Sequence, residues 1–193
     1  MASGGASNGL DQLAGIGKSI GDVFISLSAE YPALLDTIII IFGAIGVCVG
    51  CSAIFDFLKM GKRDQMQESP AKAVMWKLIS GGVLVDLAFW TKVTTSTLWD
   101  TDPLGISSYT GNGGGDYGQT ALMAALGFIV LAGYVVLGKA FIMTGKLGYL
   151  SPESRSDLAW SIIARIIAGG TMVACMNVSE YLNNSTGFNW LPS

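Results

Sequence analysis

The sequence predicts an all-α integral membrane protein: four transmembrane helices arranged as two tandem parallel-repeat hairpins, preceded by an amphipathic helix. Three observations predict it: an apolar composition, four runs of membrane-spanning length, and matched segments in the two halves. Of the 193 residues, 51% are hydrophobic and 13% charged, and the mean hydropathy of +0.52 is too high for an ordinary soluble domain of this size. The strand alternation of a membrane barrel is absent.

Taken in order, residues 1–32 form a polar start and an interfacial helix. The opening Met-Ala-Ser-Gly-Gly-Ala-Ser-Asn-Gly has no basic residue before the first apolar run, so a cleaved signal is not expected. Leu10, Leu13, Ile16, Ile20, Val23 and Leu27 then recur at steps of three or four, the period of an amphipathic helix on the outer membrane surface or on a neighbouring subunit. Residues 33–98 form the first hairpin, with apolar runs at Ala33–Leu58 and Ala73–Thr97. Residues 99–118 are an acidic, Gly-rich linker. Residues 119–182 form the second hairpin, with runs at Thr120–Thr144 and Leu158–Leu182, and 183–193 are a short tail. Each run holds roughly the 20 residues that cross a bilayer core.

The cations set the orientation, because Lys and Arg are retained on the cytoplasmic side. Lys59, Lys62, Arg63, Lys72 and Lys77 flank the first hairpin turn, and Lys139, Lys146, Arg155 and Arg165 flank the second. The linker carries Asp100, Asp102 and Asp116 but no Lys or Arg, and the tail after Tyr181 has none. Both hairpin turns are therefore expected in the cytoplasm and both termini outside. Trp76 and Trp160 suit the cytoplasmic interface, and Trp90, Trp99, Tyr109, Tyr117, Tyr181 and Trp190 the opposite one.

The two halves share ordered segments. Phe57-Leu58-Lys59-Met60-Gly61-Lys62 closes the first run as Phe141-Ile142-Met143-Thr144-Gly145-Lys146 closes the third. Lys77-Leu78-Ile79-Ser80-Gly81-Gly82 opens the second as Arg165-Ile166-Ile167-Ala168-Gly169-Gly170 opens the fourth. Each connection carries a Ser-Pro pair, Ser69-Pro70 and Ser151-Pro152, suited to a helix start. Copies that enter and leave on one side are parallel, which disfavours an inverted-repeat transporter.

Candidate functional residues fall into two groups. Gly43, Gly46 and Gly50 make a small-residue stripe on the first run, and Gly81, Gly82, Gly169 and Gly170 do the same on the second and fourth, allowing close helix packing and assembly. The intramembrane polar residues are Asp86, Asp56 and Lys139. Asp86 near the bilayer centre costs several kcal/mol unless it is paired or protonated, so it marks either a helix–helix or subunit contact or an ion site, with Lys92 as a counter-charge. Asp56 and Lys139 fall at similar depth, where an ion pair between hairpins competes with snorkelling of Lys139, Lys77 and Arg165 to the interface.

Other chemistry is disfavoured. Histidine is absent, which removes the commonest metal ligand and proton shuttle, and no cofactor fingerprint is present, so no cofactor, metal or catalytic residue is expected. Cys48 and Cys51 lie one helical turn apart in apolar surroundings, where thiols pack as small hydrophobes rather than work as a redox pair. Cys175 is expected in the core. The glycines after Thr110 lack the Gly-Lys-Ser/Thr ending of a phosphate loop. A net charge of −3 without basic clusters disfavours nucleic-acid binding.

The paired runs, the Gly61-Lys62 and Gly145-Lys146 turns and the following Ser-Pro pairs resemble the IcmC (DotE) and TraQ-type inner-membrane components of type IVB secretion and IncI-type conjugation machines. Each hairpin also looks like a small two-helix conjugative pilin. The resemblance implies a non-enzymatic bacterial inner-membrane subunit that contacts lipid, copies of itself and other apparatus subunits, helping to form a translocation conduit or pilus base. A filament subunit, or a small transporter using Asp86, remains the alternative.

Overall fold

Long apolar segments become helices in lipid because every backbone N–H must find its acceptor within the segment. The computed structural model describes residues 4–60, 70–100, 105–109 and 117–187, and helices with their turns account for nearly all of them. In chain order these are α1 (Gly4–Ser28), α2 (Tyr31–Met60), α3 (Pro70–Val85), α4 (Leu87–Trp99), α5 (Tyr117–Thr144), α6 (Pro152–Val173) and α7 (Cys175–Thr186). Short 3-10 turns occupy Ile106–Tyr109 and Leu147–Tyr149. Pro32 sits in the first turn of α2 and Pro152 opens α6, where the missing N–H costs nothing. The Gly61-Lys62 turn, Ser69, the glycines between Thr110 and Asp116, and Trp190 lie outside the described residues.

Among the described residues, two helices are long and apolar enough to cross a membrane unbroken, Tyr31–Met60 and, with its terminal 3-10 turn, Tyr117–Tyr149. The second and fourth apolar runs, expected as single helices, are each bent at one residue. α3 and α4 meet at 92°, and α6 and α7 at 76°. The chain thus has two membrane-spanning candidates, or four if each bent pair is one span. Apolar composition does not reveal such a bend, because it carries no record of the direction of the helix axis.

α2 and α5 lie side by side and run in the same direction: Tyr31 packs at Gly127, Phe42 at Gly138, and Asp56 meets Tyr149. α3 returns antiparallel along α2, and α6 antiparallel along α5. The halves are joined where the Ser80 hydroxyl donates to the Phe141 carbonyl at 2.7 Å and where Gly148 lets the 3-10 turn settle on the Ala73 backbone. The core sits at the level of the bends, where Leu84 and Leu87 flank the first bend and Tyr109, Val130, Leu137, Phe141 and Val173 close around them. Tyr109 reaches this core from the linker and is 1% exposed.

α1 lies along the first turns of α5, meeting it at Gly21 and Phe24. Gly21 admits the Tyr117 ring, whose hydroxyl donates to the Lys18 carbonyl at 2.6 Å and to the Asp22 carboxylate at 2.8 Å. Phe24 meets Phe128 edge to face at 6.2 Å. Ile16, Ile20 and Val23 point outward; the side chains of Leu10 and Leu13 lie outside the described residues. Gly21 leaves room for the Tyr117 hydroxyl to reach the Lys18 carbonyl and Asp22, a space that a larger side chain would fill.

The buried Tyr31 hydroxyl donates to the Ala124 carbonyl at 2.6 Å, tying the start of α2 to α5. Tyr31→Phe is expected to lower stability in detergent by about 1 kcal/mol, the net worth of one hydrogen bond. Gly127→Ala, whose methyl would lie 2.6 Å from the Tyr31 ring, should cost more, about 1–3 kcal/mol from overpacking. Equilibrium unfolding of both variants checks the ranking.

Candidate functional site

The first glycine contact is reciprocal. A methyl built on Gly46 would lie 2.8 Å from the Gly81 carbonyl, and one on Gly81 would lie 3.0 Å from the Gly46 carbonyl and 3.0 Å from the Gly50 nitrogen. The same arrangement recurs in the other half, where Gly133 and Gly169 each face the other's carbonyl at 3.0 and 3.1 Å. Gly170 supports a different contact, with Leu98 and Thr94 of α4. Gly43 is peripheral, 3.9 Å from the Val85 carbonyl, while a methyl on Gly50 or Gly82 would meet nothing. Gly133 escaped the sequence reading because matching Phe57 with Phe141 pairs it with Val49 rather than with Gly46.

Asp86 is not a carboxylate inside a continuous helix. It occupies the bend between α3 and α4 with φ −117° and ψ 55° and caps α4, accepting from the Phe89 backbone N–H at 3.3 Å. Across the bend the Asp86 carbonyl still accepts from Trp90 N–H at 3.2 Å. Asp86 and its neighbour Val85 are both exposed at the corner. The second bend, at Ala174, keeps Ala174 N–H on the Gly170 carbonyl and Val178 N–H on the Ala174 carbonyl, each at 3.0 Å.

Asp56 pairs within its own hairpin rather than with Lys139. Its Oδ2 takes the Lys77 ammonium in an ion pair and accepts from the Tyr149 hydroxyl at 3.2 Å. Lys77 Nζ also donates to Ser52 Oγ at 3.2 Å and stands 4.9 Å from the Tyr149 ring centroid. The antiparallel course of α2 and α3 brings Lys77 to Asp56, while Lys139 leaves α5 on another side and is exposed. Arg165 turns back on its own helix, donating to the Ser161 carbonyl at 3.0 Å.

The cysteines show no redox arrangement. Cys48 and Cys51 are exposed, away from the glycine contact, and Cys175 is half-buried at the start of α7. Among the described residues no cluster of three or more His, Cys, Asp or Glu could hold a metal. A cavity of about 160 Å³ is lined by Asn177, Glu180, Tyr181 and Asn184 on α7, with Tyr181 stacked on Trp99 at 6.5 Å; Asp86 does not line it. Trp160 projects outward, as at an interface, whereas Trp76 packs on the cluster of Ala140, Leu147 and Ile162.

Comparison of the chain with protein-family models, with characterised proteins and with solved structures finds no match.

Two measurements test the site. Gly46→Ala should destabilise by about 1–3 kcal/mol because rigid backbone must move, whereas Gly82→Ala should be neutral or stabilising by up to about 1 kcal/mol through helix propensity; a similar loss from both would refute the contact. In double-mutant cycles, Asp56 and Lys77 should couple by about 0.5–1 kcal/mol, and Asp56 with Lys139 by nothing measurable.

Proposed function

We propose that this chain is a structural, non-enzymatic subunit of the bacterial inner membrane that assembles with copies of itself and with other components of a type IVB-like secretion or conjugation apparatus. There it helps to form the translocation conduit or pilus base. The observation that carries this reading is the use to which polar side chains are put. Ser80, Tyr31 and the Asp56–Lys77–Tyr149 group join helix to helix, and none of them lines the described cavity. Polar groups spent on packing suit a scaffold; a transporter needs them converging on a passage.

Two tandem parallel hairpins belong to this proposal. The bends at Asp86 and Ala174 are 88 residues apart, the same offset that relates Lys77 to Arg165 and Gly81 to Gly169. α2 and α5 descend in parallel, and each is backed by its partner through one reciprocal glycine pair. With the basic turns on the cytoplasmic side, α1 and the linker lie at the periplasmic face, and the outward Ile16, Ile20 and Val23 are available to lipid or to a neighbouring subunit.

A second reading has one observation in its favour. A helix broken inside an apolar run, with a carboxylate at the start of its second limb, is how several transporters build ion sites. On that reading Asp86 conducts, and flux in liposomes would vanish in Asp86→Asn.

The scaffold reading predicts that deleting the gene abolishes cargo transfer while the membrane keeps its integrity, and that cross-linking captures the protein in oligomers or with apparatus subunits. Normal transfer in the deletion strain, or a strictly monomeric protein, would count against it.

A further inference from the structure

We propose that Asp86 of one copy pairs with Lys139 of the next, holding copies of this chain head to tail. The inference rests on the reading of the chain as an assembling membrane subunit and names the contact that assembly would use.

Both side chains are exposed on segments apolar enough to lie in lipid. Asp86 accepts one backbone hydrogen bond through Oδ1, which leaves Oδ2 and further lone pairs for a cation. No described residue forms an ion pair with Lys139. Two opposite charges facing hydrocarbon are each costly, and mutual pairing is the ordinary remedy.

The two charges leave the molecule on different sides. The Phe141 side chain packs in one cluster with Leu84 of α3, and the Cβ direction of Gly145 faces Ser80. Successive helix residues are about 100° apart, so Lys139 projects about 200° round α5 from Phe141 and points away from α3. Asp86 stands at the far end of α3, beside the outward Val85. Within one chain they form no ion pair, but a second copy can bring them together.

Their depths also match. Ser80 and Phe141 are level, and α3 runs opposite to α5. At a rise of about 1.5 Å per residue, Asp86 lies about 9 Å and Lys139 about 3 Å from that level, in the same direction. Helical side chains lean toward the N-terminus of their helix, so Lys139 leans toward the level of Asp86 and away from the cytoplasmic interface. Snorkelling to that interface works against this lean; reaching a neighbour's Asp86 works with it. Because the contact joins two different patches, it is heterologous, and it closes into a ring or runs on as a helical filament according to the rotation between copies.

The test uses the full chain in native membranes with Cys48, Cys51 and Cys175 replaced by Ala. An Asp86→Cys copy with one epitope tag is co-expressed with a Lys139→Cys copy bearing another, and mild oxidation is applied. A disulfide dimer carrying both tags is expected, with no dimer between two Asp86→Cys copies or between two Lys139→Cys copies. As a readout independent of cysteine, Asp86→Lys and Lys139→Asp should each lower the oligomer fraction by about tenfold or more, and the doubly exchanged chain should restore it to within about threefold of wild type. Wild-type oligomers without the mixed dimer and without rescue would overturn the pairing and leave assembly standing. An intramolecular disulfide in a chain carrying both cysteines would overturn it as well. A wild-type protein monomeric in membranes would overturn both the pairing and the assembling subunit.

Discussion

The need to satisfy the backbone in lipid governs the rest of this structure. A break in a transmembrane helix strands N–H and C=O groups at several kcal/mol each unless they find other partners, yet the chain bends sharply at two points inside apolar runs. Each bend keeps part of the hydrogen-bond ladder. At the first, the Asp86 carbonyl and carboxylate serve Trp90 and Phe89. At the second, Ala174 remains on Gly170 and Val178 on Ala174. The core closes round these bends, with Leu84, Leu87 and Val173 beside them and Tyr109 inserted from the linker.

Glycine supplies the second condition. Helices in lipid gain no hydrophobic drive from meeting each other, so they associate through close backbone approach and buried hydrogen bonds. The Gly46–Gly81 and Gly133–Gly169 contacts give each long helix such a partner, and Gly138 and Gly148 let the halves interlock by admitting the Phe42 ring and the Ala73 backbone. Not every glycine contributes. A methyl on Gly82 would meet nothing, so the Gly81-Gly82 pair marks one contact, whereas in the second pair Gly169 meets Gly133 and Gly170 meets Leu98 and Thr94.

Polar side chains follow the same economy. Thr94, Thr95, Ser96 and Thr97 in α4 return their hydroxyls to carbonyls of their own helix, which conceals polarity without making a site, whereas the buried Thr91 hydroxyl has no such partner. Asp56 and Lys77 neutralise each other beside Tyr149. Asp86 and Lys139 are exposed charges on apolar segments, and our proposal that they join neighbouring copies gives both one explanation.

Much of the helical content was legible in the sequence, because twenty apolar residues in a row leave the backbone no alternative to a helix in lipid. Gly46, Gly81 and Gly169 were legible as small residues on helix faces, but Gly133 was not, because motifs at the helix ends set the wrong register for the contact. Asp56 was recognised as a residue needing a partner; its partner was not, since depth alone does not say which side of a helix a cation leaves. By itself, the sequence determined that the chain is helical, apolar enough for a membrane, and patterned by charge. Only the tertiary structure decided that two of the four runs bend, that Asp86 is a cap, and that Lys77 rather than Lys139 answers Asp56. The physical reason is common to all three: hydropathy depends on composition along the chain, whereas bends and pairings depend on the direction in which each residue faces its neighbours.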